Sequence, residues 1–287
     1  MVPIMNLFAE QSANSLVKLD LRRDKVVELR SGNLGVRLAK NEEERDAAQA
    51  LRFRIFYEEM GAKPSQAILH SKRDFDEFDD HADYLLVIDH NKKNVKEKVV
   101  GTYRFLTRTM AEQVGKFYSE SEFDLTLLKE HPGNLLEVGR SCVDQNYRNR
   151  QAMKLLWEGI ALYIFINKID ILFGCASLPG TDYKKHIESL TYLYHAHLAP
   201  PALRVSALPN RKVEMLGCDP HTLNKRSCLV RLPTLIKGYL RLGGCVGDGA
   251  VIDEEFNTTD VAIIVKSEMF ADKYYRHYER RLRDALE

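Results

Sequence analysis

From Gly35 onward, apolar and polar positions fall into short blocks whose spacing predicts strands and helices in mixed order. Gly35 to Leu38 reads as a strand, Glu42 to Met60 as a helix and Gly61 to Asp83 as a long acidic loop. Tyr84 to Asp89 and Val99 to Thr107 read as strands joined by the hairpin-like DHNKKNVKEK segment, with a short helix expected near Thr109 to Phe117. Leu135 to Val143 is a buried strand, Asp144 to Arg150 a polar turn, and Gln151 opens a helix that turns Met153, Leu155, Leu156 and Ile160 inward. A strand (Ile169 to Ala176), a helix (Lys184 to His197) and a Pro-rich connection follow. The last third is expected to hold a helix (Leu235 to Leu242), strands near Gly249 to Phe256 and Asp260 to Lys266, and a terminal helix. Gly243 to Gly249 reads as a turn, because it does not open a helix after a strand as a dinucleotide loop does. This order implies a single α/β domain over residues 32–287, with a curved mixed sheet flanked by helices and a C-terminal elaboration from about residue 199. Residues 1–31 read as a loosely ordered lead-in.

Composition narrows the partners. Lysine and arginine number 42 against 41 acidic residues, a net charge of +1, so the global field that drives nucleic-acid binding is missing. Five cysteines, Cys142, Cys175, Cys218, Cys228 and Cys245, show no CxxC spacing; they read as buried thiols in a reducing compartment. The N-terminus lacks a signal-peptide pattern, and the longest charge-free run, Ser189 to Leu203, falls short of the roughly 20 apolar residues of a membrane span. A cytoplasmic protein is expected.

Chemistry concentrates in Asn134 to Ile164. Glu137 and Arg140 sit in an apolar strand, and Arg104 sits in the preceding one; charges there require partners, so an ion-pair network is expected. Residues three apart in a regular strand face opposite ways, so Glu137 and Arg140 can share a site only across a β-bulge, for which Gly139 is the natural place. Such a bulge frees N–H groups for an oxyanion. Arg148 and Arg150 precede a helix N-terminus, an arrangement suited to a phosphate, with a solvated turn as the plainer alternative. In the acidic loop, Asp74, Asp76, Asp79, Asp80 and Asp83 alternate with Phe75, Phe78 and Tyr84. The aromatics would anchor the loop and fix some carboxylates where they could bind a cation; a solvated loop is the alternative. Cys142 reads as inert core and His195 with His197 as polar residues near a helix end; no metal is expected.

The segments LRFRIFYEEMGA, DFDEFDD, VVGTYRFL and LEVGR, in this order, resemble the acyl-homoserine-lactone synthases, which have a GNAT-like fold. The matching positions are Arg52, Phe56, Asp76, Asp79, Arg104, Glu137 and Arg140. The family's tryptophan is replaced by Ala62, and the chain is longer. GNLGVRLAKNEEERDAAQALRFRIF, LLEVGRSCVDQNYRNRQAMKLLWEGIALYI and LPTLIKGYLRLGGCVGDGAVIDEEFNTTDVAIIV together are similar to the bacterial ornithine lipid acyltransferases, over about Gly32 to Phe270. This resemblance implies transfer of a 3-hydroxyacyl group from acyl carrier protein to the α-amino group of L-ornithine, giving lyso-ornithine lipid. NYRNRQA lacks the glycines of the acetyltransferase turn, which favours 4'-phosphopantetheine delivered on acyl carrier protein over coenzyme A, with no permanently bound cofactor.

On that implication Glu137 takes the proton of the α-ammonium, Arg140 fixes the carboxylate, and Asp76 and Asp79 hold the cationic substrate. Arg148 and Arg150 receive the donor phosphate or the carrier. The product must reach a membrane, so a transient contact with the inner-membrane surface is expected. RSCLVRLPTLIKGYLRL and KYYRHYERRLR are its candidates, although core helix and solvated terminal helix are the favoured readings. Two alternatives remain: a homoserine-lactone synthase using S-adenosylmethionine, and a noncatalytic membrane adaptor.

Overall fold

The computed structural model describes residues 27–268. Among them, strands β1 (Leu29–Ser31), β2 (Leu34–Leu38), β3 (Asp83–Asp89), β4 (Val99–Thr107), β5 (Phe123–Asp124), β6 (Asn134–Val143), β7 (Ile169–Pro179), β8 (Ser206–Ala207), β9 (Lys212–Val213), β10 (Cys245–Asp253) and β11 (Thr258–Lys266) form one sheet. Its order is β1-β2-β3-β4-β6-β7-β11-β10-β8-β5, with β9 beside β10. Neighbours are antiparallel except β6–β7 and β8–β10. The helices that matter below are α1 (Glu42–Phe53), α2 (Arg150–Ile166), α3 (Ile187–His197) and α4 (Thr234–Arg241).

Local chemistry sets the helix starts. The Asn41 side chain accepts the Glu44 N–H at the head of α1, whose first turn carries Glu42, Glu43 and Glu44 against the positive end of the dipole. The Asn149 side chain accepts from both Gln151 N and Ala152 N at the head of α2. That helix joins the parallel pair β6–β7 and buries Ala152, Leu155, Leu156, Ile160 and Ile164 on the sheet. Gly159 lets it approach closely: a Cβ there would lie 2.7 Å from Leu85 and 2.8 Å from Val36. Leu136, Val138, Leu172, Val261 and Ile263 complete this core. A second cluster, including Leu135, Phe173, Val251 and Ile264, fills part of the other face.

Two irregularities shape the middle of the sheet. Pairing of β6 with β7 ends at Glu137 and Phe173, although the strands run on to Val143 and Pro179. Beyond that point they diverge. The second irregularity lies between β4 and β6, where Arg104 faces Gly139 and Thr102 faces Cys142, so β6 carries one extra residue. The bulge expected at Gly139 is therefore present, but the left-handed backbone falls on Arg140, at φ 52°.

Several expectations need correction. Leu29–Ser31, placed in the lead-in, is an edge strand paired with β2. The acidic loop contains a helix, Gln66–Ser71, capped by Ser65, and the hairpin-like segment contains the helical turn Val95–Lys98. The helix after β1–β2 ends at Phe53 and continues as a π-helix, Arg54–Glu59, closed by Met60 N donating to Ile55 O. Gly243 to Gly249 is a turn only at its start; from Cys245 it is strand, with a register shift between Val246 and Ala250. The stretch RSCLVRLPTLIKGYLRL, favoured as core helix, is two helices, Lys225–Arg231 and Thr234–Arg241, separated at Pro233. The segment from residue 199 is no appendage, because β10 and β11 extend the sheet directly from β7. The predicted terminal helix lies outside the described residues, among which no helix is long and apolar enough to cross a membrane.

Candidate active site

A cavity of about 230 Å³ opens where β6 and β7 part. Val138, Gly139, Arg140 and Ser141 form one wall, Cys175 and Ser177 the other, and Leu235 and Ile236 of α4 reach in with Tyr103 and Phe56. Strand register puts Glu137, Cys175, Ser177, Thr258, Asp260 and Asp253 on one face of the sheet. The bulge brings Arg140 to the same cavity. Of the residues singled out in sequence, Glu137, Arg140, Arg104 and Phe56 line it; Arg52, Asp76, Asp79, Arg148 and Arg150 do not.

The acidic loop closes on the arginines. Arg52, fully buried, donates to both oxygens of Asp79 at 2.9 Å and through Nε to Asp74 at 2.6 Å. Tyr57 and Tyr84 add hydroxyl hydrogen bonds to Asp74 and Asp79, at 2.8 and 2.6 Å. Arg104 reaches Asp76 at 2.5 Å and Asp79 at 3.2 Å. Arg140 donates to Asp76 at 3.0 Å, while its guanidinium lies 4.6 Å from the Tyr118 ring centre and 4.4 Å from that of Phe256. Burial alone would raise the Asp74 and Asp79 carboxyls, but the guanidinium groups of Arg52, Arg104 and Arg140 outweigh it and hold both low. Asp76 and Asp79 are thus committed to arginines, which differs from the expected role of holding a cationic substrate. The same pairs hold Arg140 in its left-handed conformation, which costs about 1–3 kcal/mol.

Glu137 departs from the expected network, because its carboxylate pairs with no arginine among the described residues. Its two oxygens accept the backbone N–H groups of Tyr118 and Ser119 at 2.8 and 2.7 Å. Burial raises its pKa; the Ser119 and Tyr118 hydrogen bonds and the charge of Arg104 act in the opposite sense. A carboxylate has about four lone-pair sites, so each oxygen keeps capacity for a proton or a substrate N–H.

At the head of α2, the turn is already satisfied. Arg148 pairs with Glu59, at 2.7 Å through Nη2, and donates to Val143 O at 2.9 Å, while Asn149 occupies the first free N–H groups. Arg148 and Arg150 are exposed on the outer surface. Cys142 is buried and its thiol is pushed up to about 12, which agrees with an inert core cysteine. His195 and His197 fall in the last turn of α3.

Sequence reasoning missed a second acidic group, of which Asp253 and Asp260 line the same cavity and Glu122 lies behind Cys175. Glu122, Asp253 and Asp260 are all buried, and Asp253 and Asp260 line the wall with Thr258. Burial, with the mutual repulsion of the carboxylates, pushes Glu122 up to about 8 and Asp260 up to about 6. The Cys175 thiol donates to Glu122 and to the Ser119 hydroxyl, at 3.3 Å each. Only Asp260, an acid inside the apolar run TTDVAIIV, carried a signal of the kind that marked Glu137.

Residues 51–158 match the acetyltransferase (GNAT) domain, and the mixed sheet flanked by helices is GNAT-like. The chain is 43% identical over 252 residues to the L-ornithine N(alpha)-acyltransferase of Rhizobium meliloti (strain 1021), covering 87% of this chain and 85% of that protein. The same identity holds over 259 residues with the L-ornithine N(alpha)-acyltransferase of Brucella abortus (strain 2308), covering 89% and 92%. Among solved structures, FeeM, an N-acyl amino acid synthase from uncultured soil microbes, superposes with a TM-score of 0.45 at 14% identity, over 84% of this chain and 94% of that one. The chain belongs to the L-ornithine N(alpha)-acyltransferase family.

Proposed function

We propose that the protein transfers a 3-hydroxyacyl group from acyl carrier protein to the α-amino group of L-ornithine, forming lyso-ornithine lipid. In support of this reading, the bulge brings Glu137 and Arg140 to one cavity between diverging strands, in a chain of this family. Glu137 takes a proton from the α-ammonium, directly or through water, and the freed nitrogen attacks the thioester carbonyl. The C–N bond forms, the C–S bond breaks, and the phosphopantetheine thiol leaves with a proton. Arg140 holds the substrate carboxylate. Arg140 and Ser141, which the bulge takes off the β4 ladder, are placed to offer N–H donors to the oxyanion.

The donor's single phosphate is read by Arg148 and Arg150, the former exchanging Glu59 for it. The acceptor and the prosthetic group converge on the cavity and lower the entropic cost of a two-substrate reaction. The reaction takes place in the cytoplasm, and the product leaves through transient contact with the inner-membrane surface. The test is incubation of the purified protein with 3-hydroxyacyl carrier protein and radiolabelled L-ornithine, L-lysine or S-adenosylmethionine, followed by lipid extraction. Carrier-dependent label from ornithine in the lipid phase is expected. A lactone labelled from S-adenosylmethionine, or no acylated product, would overturn the reading.

A further inference from the structure

We propose that Glu122, Asp253, Asp260 and the Thr258 hydroxyl form a subsite for an alkylammonium group, and that it receives the distal ammonium of the amino-acid acceptor. This rests on the N-acyltransfer reading and adds to it what selects ornithine.

The subsite adjoins the base. Ser119 donates its N–H to Glu137, its hydroxyl accepts the Cys175 thiol, and Cys175 also donates to Glu122. One serine and one cysteine therefore separate the Glu137 carboxylate from Glu122. Three carboxylates here have little positive charge against them. Glu122 is 2% exposed, Asp260 4% and Asp253 7%, yet among the described residues the nearest ion pair is Arg211 Nη1 to Glu122 Oε1 at 4.0 Å. Arg211 is otherwise engaged with the carbonyls of Ser121 and Ile252.

A second observation is independent of charge. Thr258 Oγ1 and Asp260 Oδ1 are buried and line the cavity, and no well-formed hydrogen bond reaches either among the described residues; the Thr258 and Ser177 side chains lie close enough to Asp260 only to offset part of the rise in its carboxyl. Buried acceptors left short of donors oppose folding, and a donor entering the cavity would satisfy them. The ligand must then be cationic, rich in N–H donors and attached to a chain that reaches from the amine near Glu137. An alkylammonium has three donors on a compact charge. A divalent metal fits less well, although Glu122, Cys175 and Asp260 can bring one atom each within 4.8 Å of one another. A metal there would have to displace the proton of the buried Cys175 thiol, a step that binding an ammonium does not require.

The experiment compares L-ornithine with L-norvaline, which lacks the distal ammonium, both as acyl acceptors and in calorimetric binding without donor. Wild-type protein should prefer ornithine in kcat/KM by on the order of a thousandfold or more, as sites with buried polar groups do. Asp260→Asn and Glu122→Gln should each shrink that preference at least tenfold, chiefly through KM for ornithine. Thr258→Val should shift it less in the same direction, so the test survives an unstable acidic variant. A misfolded variant would lower both substrates together and leave the ratio unchanged. If ornithine is acylated but the ratio is unmoved in all three variants, the subsite is wrong and the reaction stands. If no amine is acylated yet Asp260→Asn abolishes ornithine's binding advantage over norvaline, the reaction is wrong and the subsite stands. Zinc or magnesium binding that depends on Asp260, with the ornithine preference unaltered, would overturn the proposal in favour of a metal site.

Discussion

The molecule holds two buried groups of acids within one site region, and they answer their charge in opposite ways. Asp74, Asp76 and Asp79 face Arg52, Arg104 and Arg140 at hydrogen-bonding distance, and tyrosine hydroxyls take up remaining lone pairs of Asp74 and Asp79. Glu122, Asp253 and Asp260 face one another, with Arg211 at the margin. The first group is a frame: it locks the acidic loop onto α1 and β4 and holds Arg140 across the bulge. The second is poorly suited to that task, because its hydrogen bonds, from the Glu255 and Phe256 N–H groups to Asp253 and from Cys175 to Glu122, bring no matching cation, and buried carboxylates without one oppose folding. Acids kept at such a cost, beside the cavity and next to Glu137, are better understood as recognition groups.

Removing one partner of the frame should have the largest effect. Arg52→Ala leaves Asp74 and Asp79 without their principal cation, and about 3–5 kcal/mol of stability should be lost in urea denaturation. The counterpart, Asp260→Asn, should be neutral or stabilising in the ligand-free protein; a comparable loss would erase the distinction.

Glu137→Gln should come next. Turnover should fall on the order of a hundredfold or more, about 2.7 kcal/mol, and about 1–3 kcal/mol of stability should be lost as well, because the amide oxygen can accept only one of the two backbone N–H groups and the other faces the NH2. Near-normal turnover removes Glu137 from the role of base. Because burial raises its pKa, the acid limb of kcat/KM should lie above the ordinary carboxylate range, with activity lost as pH falls through it.

Stability against pH separates the groups by sign. Asp74 and Asp79 have lowered pKa values, so their contribution is present above the unfolded value near 3.9 and is lost as pH falls through the folded values. Glu122 and Asp260 have raised values, so theirs is present below about pH 4 and is lost as pH rises through about 6 and about 8. Between pH 5 and 8 the wild-type protein should therefore lose at least about 1 kcal/mol relative to the Glu122→Gln/Asp260→Asn variant. Parallel urea-midpoint curves would contradict this.

The smallest effect serves as a control outside both groups. Charge reversal at Arg148 and Arg150 should weaken acyl-carrier binding severalfold at low salt and flatten its salt dependence, without altering the choice of amine. Unchanged affinity would count against this surface.

Sequence periodicity located the strands and helices around the site, because each buries an apolar face against the same sheet. It also located the bulge: a glutamate and an arginine three apart in a buried strand cannot share a face otherwise. That the bulge's left-handed residue is Arg140 was not legible, because the pairs to Asp74 and Asp76 and the two flanking rings that hold Arg140 come from distant segments. The acidic loop was legible as a cluster, but its partners were not, since Arg52 and Arg104 sit on a helix and a strand far from it in sequence. The convergence of Asp253 and Asp260 was hidden for the same reason, since it exists only once β10 and β11 are laid beside β7. Five residues of GGCVGDG were misread because glycine suggests a turn, whereas in β10 Gly247 and Gly249 admit close neighbours and, at Gly249, a φ of +92°.

The contrast between the two groups is tested most directly by counting protons released when ornithine binds, by calorimetry at pH 7 in buffers of different ionisation enthalpy. Glu122 is surrounded by Asp260, Asp253, Cys175, Ser119 and Arg211, and with its pKa at about 8 it carries a proton in the free protein. An ammonium placed beside it should expel that proton, giving roughly one proton per ornithine in wild-type protein. Glu122→Gln should release none from this position, and norvaline should release none with either protein. Equal release by ornithine and norvaline, or release unaffected by Glu122→Gln, would contradict the account.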